Sequence, residues 1–149
     1  MPRSIDRSGF THEDLHDITD IAEDTLVKFN FKHDKCFMLE KWGSTFLLIF
    51  KSKQVETAQF FQVFMIMMAE VQESTNYEFE LEVSSGQTLS LAGKVRSIDE
   101  NKATIFAIGN ANLIAVTSKD LEFKVKIRNE KLEEIAKDQE YESGVEDDD

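Results

Sequence analysis

The chain has 149 residues, 41% of them hydrophobic and 31% charged, with twelve Phe, one Pro and one Cys. That length fits one domain with a sizeable core, and the apolar share excludes a wholly disordered chain. A net charge of −12 argues against a general nucleic-acid binder and against an anionic membrane surface, since both require a basic face. A lone Cys36 excludes an intrachain disulfide framework and any Cys-rich zinc module.

The acidity belongs to the ends. Residues 1–24 carry two basic and seven acidic side chains, and residues 138–149 carry seven acidic and no basic ones. The stretch 25–137 is neutral, with fifteen of each sign. Segment Asp138–Asp149 has only Tyr141 and Val145 as sizeable apolar groups, so it is expected to form a disordered, solubilising acidic tail. The start, Met1 to Phe10, has no apolar core of signal-peptide length, and no window reaches the roughly 18 uncharged apolar residues of a membrane span. A soluble, reducing, cytoplasmic setting is the expectation, with the nucleus open.

In chain order, Thr11 to Leu26 has helical spacing, with Leu15, Ile18, Ile21, Ala22 and Leu26 on one stripe and Thr11 as N-cap. This predicts an amphipathic helix within an acidic N-terminal segment, 1–27. Phe29, Phe31 and Cys36–Leu39 have strand texture, and Thr45–Phe50 is a continuous apolar run of strand length. Gln59 to Val71 is aromatic and Met-rich, and periodicity alone does not decide between strand and buried helix there. Tyr77, Phe79, Leu81 and Val83 alternate with Glu78, Glu80 and Glu82, which predicts a strand with one oily and one carboxylate-bearing face. That acidic rib would keep an exposed sheet face soluble.

Ser84 to Gly86 turns the chain, and Thr88–Val95 returns as the second arm of a hairpin. Further strands are predicted at Ala103–Ile108, Leu113–Val116 and Leu121–Ile127. Short strands punctuated by turns indicate an all-β sandwich over residues 28–129. Residues 130–149 complete the chain with a short helix around Lys131–Lys137 and the acidic tail.

Catalytic chemistry is sparse. His12, Glu13 and His16 satisfy the letters of a His-Glu-x-x-His zinc motif, but on a short acidic helix a solvated face is the simpler reading. A zinc-dependent hydrolase is kept as the alternative from another class. Cys36 reads as a buried structural thiol. No Gly-rich phosphate loop occurs. The expectation is therefore a non-enzyme without metal or other cofactor.

Several motifs in order resemble the carboxy-terminal, TRAF-like domain of the seven-in-absentia proteins. They are Gln59 to Phe61, then Tyr77 to Val83, then Val95 to Ile98 before Asp99 and Glu100. The run Trp42 to Leu48 is similar to the family's aromatic-Gly stretch, and the likeness covers roughly residues 34–128. The resemblance implies a TRAF-like antiparallel β-sandwich that binds substrates and adaptors and often dimerises. In the family this domain follows a RING and zinc fingers, within an E3 ubiquitin ligase. One Cys and three His cannot build those modules.

The family takes an extended peptide by strand addition. Local matching puts Lys35 and Phe37 where the family has a groove Trp and Met, and Lys124 where it has a groove Asn. The two lysines favour an acidic ligand by charge complementarity, and the chain's own acidic tail is then a candidate competitor. Met65 and Met67 would share one face by alternation, and that face is a candidate self-association patch. The partners implied are a protein or peptide in extended conformation and a second copy of the chain, or, as a further alternative, the second copy alone. Neither nucleic acid nor membrane is implied.

Overall fold

The computed structural model describes residues 18–31, 34–84, 86–108, 113–118 and 120–130. Strands β1 (Ile18–Asp20), β2 (Val27–Asn30), β3 (Lys35–Lys41), β4 (Ser44–Val55) and β5 (Ala58–Met67) come first. A single helical turn, α1 (Val71–Ser74), leads into β6 (Tyr77–Ser84), β7 (Thr88–Lys94) and β8 (Arg96–Ser97). Helix α2 (Lys102–Ile108), β9 (Ile114–Ala115) and β10 (Asp120–Asn129) complete the order. They build two open sheets. One is six-stranded, ordered β1-β3-β4-β5-β8 with β9 also on β5, and the other is β2-β10-β6-β7.

Alternation explains how the sheets meet. Phe37, Phe46, Leu48, Phe50, Phe61 and Met65 turn from the first sheet into the shared core, against Phe79, Leu81, Phe123, Val125 and Ile127 of the second. An aromatic knot joins the layers. The Phe50 ring lies 5.1 Å from both Phe29 and Phe123, and Phe37 lies 5.0 Å from Phe123. The β3–β4 hairpin turns through Trp42 and Gly43, with φ of 53° and 75°, the paired positive angles that a two-residue hairpin turn needs.

The six-stranded sheet is oily on its outer face as well. Cys36, Leu47, Ile49, Phe64 and Ile66 pack there under Ile98 and under Ile105 of α2. Both faces of β4 and β5 are thus covered, which is why Thr45–Phe50 and Gln59–Val71 carry no polar alternation. The question left open for Gln59–Val71 is settled as a strand to Met67 followed by a turn.

Cys36 is fully buried in this second cluster. Burial pushes its thiol from 9.0 up to about 12. Below the unfolded value both states keep the proton. As pH rises from there toward the folded value, the unfolded chain ionises first, so stability falls by at most about 1.4 kcal/mol per pH unit. Tyr77, raised by burial and by the neighbouring Glu73 charge, adds a fall of the same sign. Cys36→Ala should therefore flatten the decline in urea-unfolding free energy between about pH 8 and 11. Parallel wild-type and variant curves would refute the assignment.

Two sequence expectations are corrected. Ile18–Asp20 is a strand, and residues 21–26 are irregular, so the described part of Thr11–Leu26 is not helical. Ile18 and Leu26, expected on a buried stripe, are exposed. The backbone edge of β3 captures residues 18–20, in parallel register with Cys36–Met38. Ala103–Ile108, expected as a strand, belongs to α2. The Asn101 side chain accepts the Ala103 N–H at 2.9 Å, which caps that helix, and Ile105 anchors it on the sheet. His12, Glu13 and His16, the expected helix around Lys131–Lys137 and the acidic tail lie outside the described residues.

Candidate functional site

The side of the sandwich at β3 and β10 is where the groove residues were expected. It is crossed by the chain itself. β1 pairs with β3, and β2 pairs with β10. Between them the Ile21 N–H donates to Met38 O at 2.9 Å and the Asp24 N–H to Val125 O at 2.8 Å, so the crossing segment is tied to both sheets. Glu23 clamps it. Its carboxylate takes Lys41 Nζ at 2.7 Å and the Ile127 N–H at 2.7 Å. The same ammonium donates to Ile127 O at 3.1 Å and stands 4.2 Å from the centre of the Trp42 ring.

The residues expected to line a groove do not come together here. Phe37 is 3% exposed and belongs to the inter-sheet core, where its ring meets Phe29, Phe50 and Phe123. It offers no surface to a ligand. Lys35 opens β3, on the strand face shared with Phe37. Lys124 projects from the solvent face of the other sheet, opposite Glu82. The two lysines thus form no joint cationic seat, which removes the electrostatic case for an acidic ligand. Met65 and Met67 do share a face, but both are fully buried between the sheets, so that face is core and not an association patch.

The solvent face of β2-β10-β6-β7 carries a register of charge. Glu78, Glu80 and Glu82 lie directly opposite Arg128, Lys126 and Lys124. Arg128 bridges diagonally to Glu80 at 2.8 Å, and Lys28 lies 3.6 Å from Glu122. The carboxylate rib is therefore matched across the strands and is not a purely repulsive surface. The alternation of Glu122, Lys124, Lys126 and Arg128 in the sequence is the signal that goes with it. Among the described residues no group of three or more His, Cys, Asp or Glu could hold a metal ion.

The open place lies at the other margin. Among the described residues β7 pairs with β6 alone. The Val95 N–H donates to Tyr77 O at 3.2 Å, which sets the phase of the ladder. In an antiparallel pair the backbone groups alternate inward and outward. Phe79, Leu81 and Val83 thus bond Gly93, Leu91 and Leu89, and the N–H and C=O groups of Thr88, Ser90, Ala92 and Lys94 point outward. The side chains of Thr88, Ser90, Ala92 and Lys94 are on the solvent face and exposed. Leu89, 44% exposed, and the half-buried Leu91 occupy the other face.

This edge is unusually plain. From Thr88 to Gly93 it has no charge, no Pro and a continuous register. Sheet edges are ordinarily blunted by such features. Among the described residues the other edge strands are shorter, four residues in β2, three in β1 and two each in β8 and β9. Gly93 lies so close to β6 that a Cβ would stand 2.8 Å from the Phe79 ring. Beside β7 a depression of ≈ 470 Å³ opens on the solvent face, lined by Glu80, Glu82, Ser90, Ala92, Lys124 and Lys126 among others.

Two packed, largely antiparallel sheets, crossed on one side by the chain's own segments and, among the described residues, with the outer side of β7 unpaired, define a TRAF-like binding sandwich. A family model described as "Sina, TRAF-like domain" matches residues 35–134, and the chain belongs to that family. It is a protein-interaction domain. No curated protein matches the chain.

Proposed function

We propose that the chain binds an extended segment of a partner protein as an added strand along β7, as a substrate or adaptor receptor of the ubiquitin-ligase type. The observation that carries this reading is the row of outward backbone groups at Thr88, Ser90 and Ala92 on an exposed edge that carries no charge before Lys94. Backbone hydrogen bonds would supply affinity, and the alternate side chains would supply selectivity. Leu89 and Leu91 offer an apolar strip to every second residue of the ligand. No catalytic group is needed for this role, and the Cys36 thiol is held protonated inside the sheet packing.

Selection from a random-peptide display library, followed by proline substitution at the edge, tests the proposal. The Ser90 N–H points away from β6, so Ser90→Pro removes no ladder bond and leaves the fold intact. Selected peptides should lose at least about tenfold in affinity, because the ring takes away a docking donor and blocks strand approach. Ala92→Pro repeats the test one outward position along. A library that yields no binder, or binders held equally by both proline variants, overturns the reading.

A further inference from the structure

We infer that the β7 edge selects segments in which apolar residues alternate with Arg or Lys, and that Glu82 is the group that reads the positive charge. The inference rests on the strand-addition reading and adds the chemical class of the ligand. It starts from what borders the edge on the solvent face. Outward from Glu80 and Glu82 of β6, the register places Ala92 and Ser90 of β7. Both are small and exposed. A strand added to β7 lies two strand spacings, about 10 Å, from β6. A long cationic side chain laid across Ser90, and a glutamate reaching back, span that gap. The lysines of β10 stand one spacing further away, and Lys94, at the end of β7, is paired with Glu130 at 3.0 Å, so beside Ser90 and Ala92 the nearest charges across the strand are the carboxylates of Glu82 and Glu80.

Glu82 differs from its neighbours in having that charge to spare. Glu80 is engaged by Arg128 at 2.8 Å. The Glu78 carboxyl is held above its usual range, chiefly by its hydrogen bond to Glu130. Among the described residues Glu82 has no ion pair, although Lys124 lies opposite it on β10. On the opposite parity Leu89 and Leu91 call for apolar residues. The ligand pattern that follows is apolar-basic-apolar, in step with the pleat. The chain's net charge of −12 would also attract such a segment at long range and speed its encounter. An acidic ligand meets the reverse at both ranges.

Three synthetic peptides as long as β7 make the test, with Val alternating with Arg, Ser or Glu, each titrated onto the full chain at low salt. The Arg peptide should bind about tenfold tighter than the Glu peptide, and its advantage should shrink as salt rises. Glu82→Gln should weaken the Arg peptide by about two- to fivefold, the scale of one exposed ion pair, and leave the Ser peptide unchanged. Ser90→Pro should remove binding of all three. Equal binding of the Arg and Glu peptides, or an Arg preference undiminished in Glu82→Gln, overturns the inference and leaves strand addition standing. Peptides held equally by Ser90→Pro and the wild type overturn both.

Discussion

Phe50→Ala is expected to remove about 4 kcal/mol of folding stability, the largest effect of any single truncation in this molecule. Phe50 is fully buried at the centre of β4. Its ring lies 5.1 Å from Phe29 and Phe123, 5.7 Å from Phe61 and 5.8 Å from Phe37, so it touches both sheets. Truncation loses the transfer energy of the ring and leaves a cavity that rigid β neighbours fill poorly. The aromatic pairs add about 0.5–1.5 kcal/mol each beyond area alone. A domain of this size is stable by only about 5–15 kcal/mol, so much of the margin would go. Phe50→Leu, which keeps most of the volume, should cost less than half as much. Urea unfolding reads both, and a loss under about 2 kcal/mol for the alanine variant would show that the sheets repack around the gap.

How far the sequence discloses this protein depends on whether a strand has one wet face. β6 does, so Glu78, Glu80 and Glu82 reveal it at a glance, and its hairpin with β7 follows from Ser84 to Gly86. β5 is covered on both sides, by the second sheet within and by Ile105 without, and so it carries no period. The helix at Lys102–Ile108 is hidden by Thr104, Ile105 and Phe106, whose local preference is for strand. The Asn101 cap and the docking surface for Ile105 outweigh that preference. At the N-terminal side, Ile18 and Ile21 mimic a helical stripe, but for residues 18–20 the edge of β3 is a stronger partner than a marginal isolated helix.

The site is less legible for a different reason. Whether an edge is free depends on which strand becomes its neighbour, and that is a property of topology. The margin holding Lys35 is shut by β1, β2 and the segment between them, while among the described residues β7 has β6 on one side and no strand on the other. Phe37 shows the hazard of local matching. Its alternation with Cys36 and Met38 says only that it shares a face with Lys35 and Leu39, and the second sheet decides that this face is core. The charge ladder was within reach, since Glu122, Lys124, Lys126 and Arg128 alternate as openly as the glutamates opposite.

Glu23→Ala should cost about 2 kcal/mol, more than any other surface-side substitution in the described residues. Glu23 and Lys41 are each rather less than a third exposed, and the ion pair alone is worth no more than about 1 kcal/mol at such a boundary. The larger share comes from the backbone. Glu23 Oε2 is the acceptor for the Ile127 N–H at 2.7 Å, on the side of β10 away from β6. Without it the amide has no acceptor beside it and the ammonium of Lys41 keeps only Ile127 O and the Trp42 ring. Lys41→Met leaves the carboxylate still bonded to Ile127 and partly wet, so it should cost clearly less. The asymmetry separates a backbone clamp from a simple salt bridge, for which the two losses would be equal. Hydrogen exchange at the Ile127 amide gives an independent reading. It should accelerate in Glu23→Ala and stay near wild type in Lys41→Met, because only the first variant removes the acceptor of that amide. Exchange unchanged in both would mean that β1 and β2 hold that margin closed without the clamp.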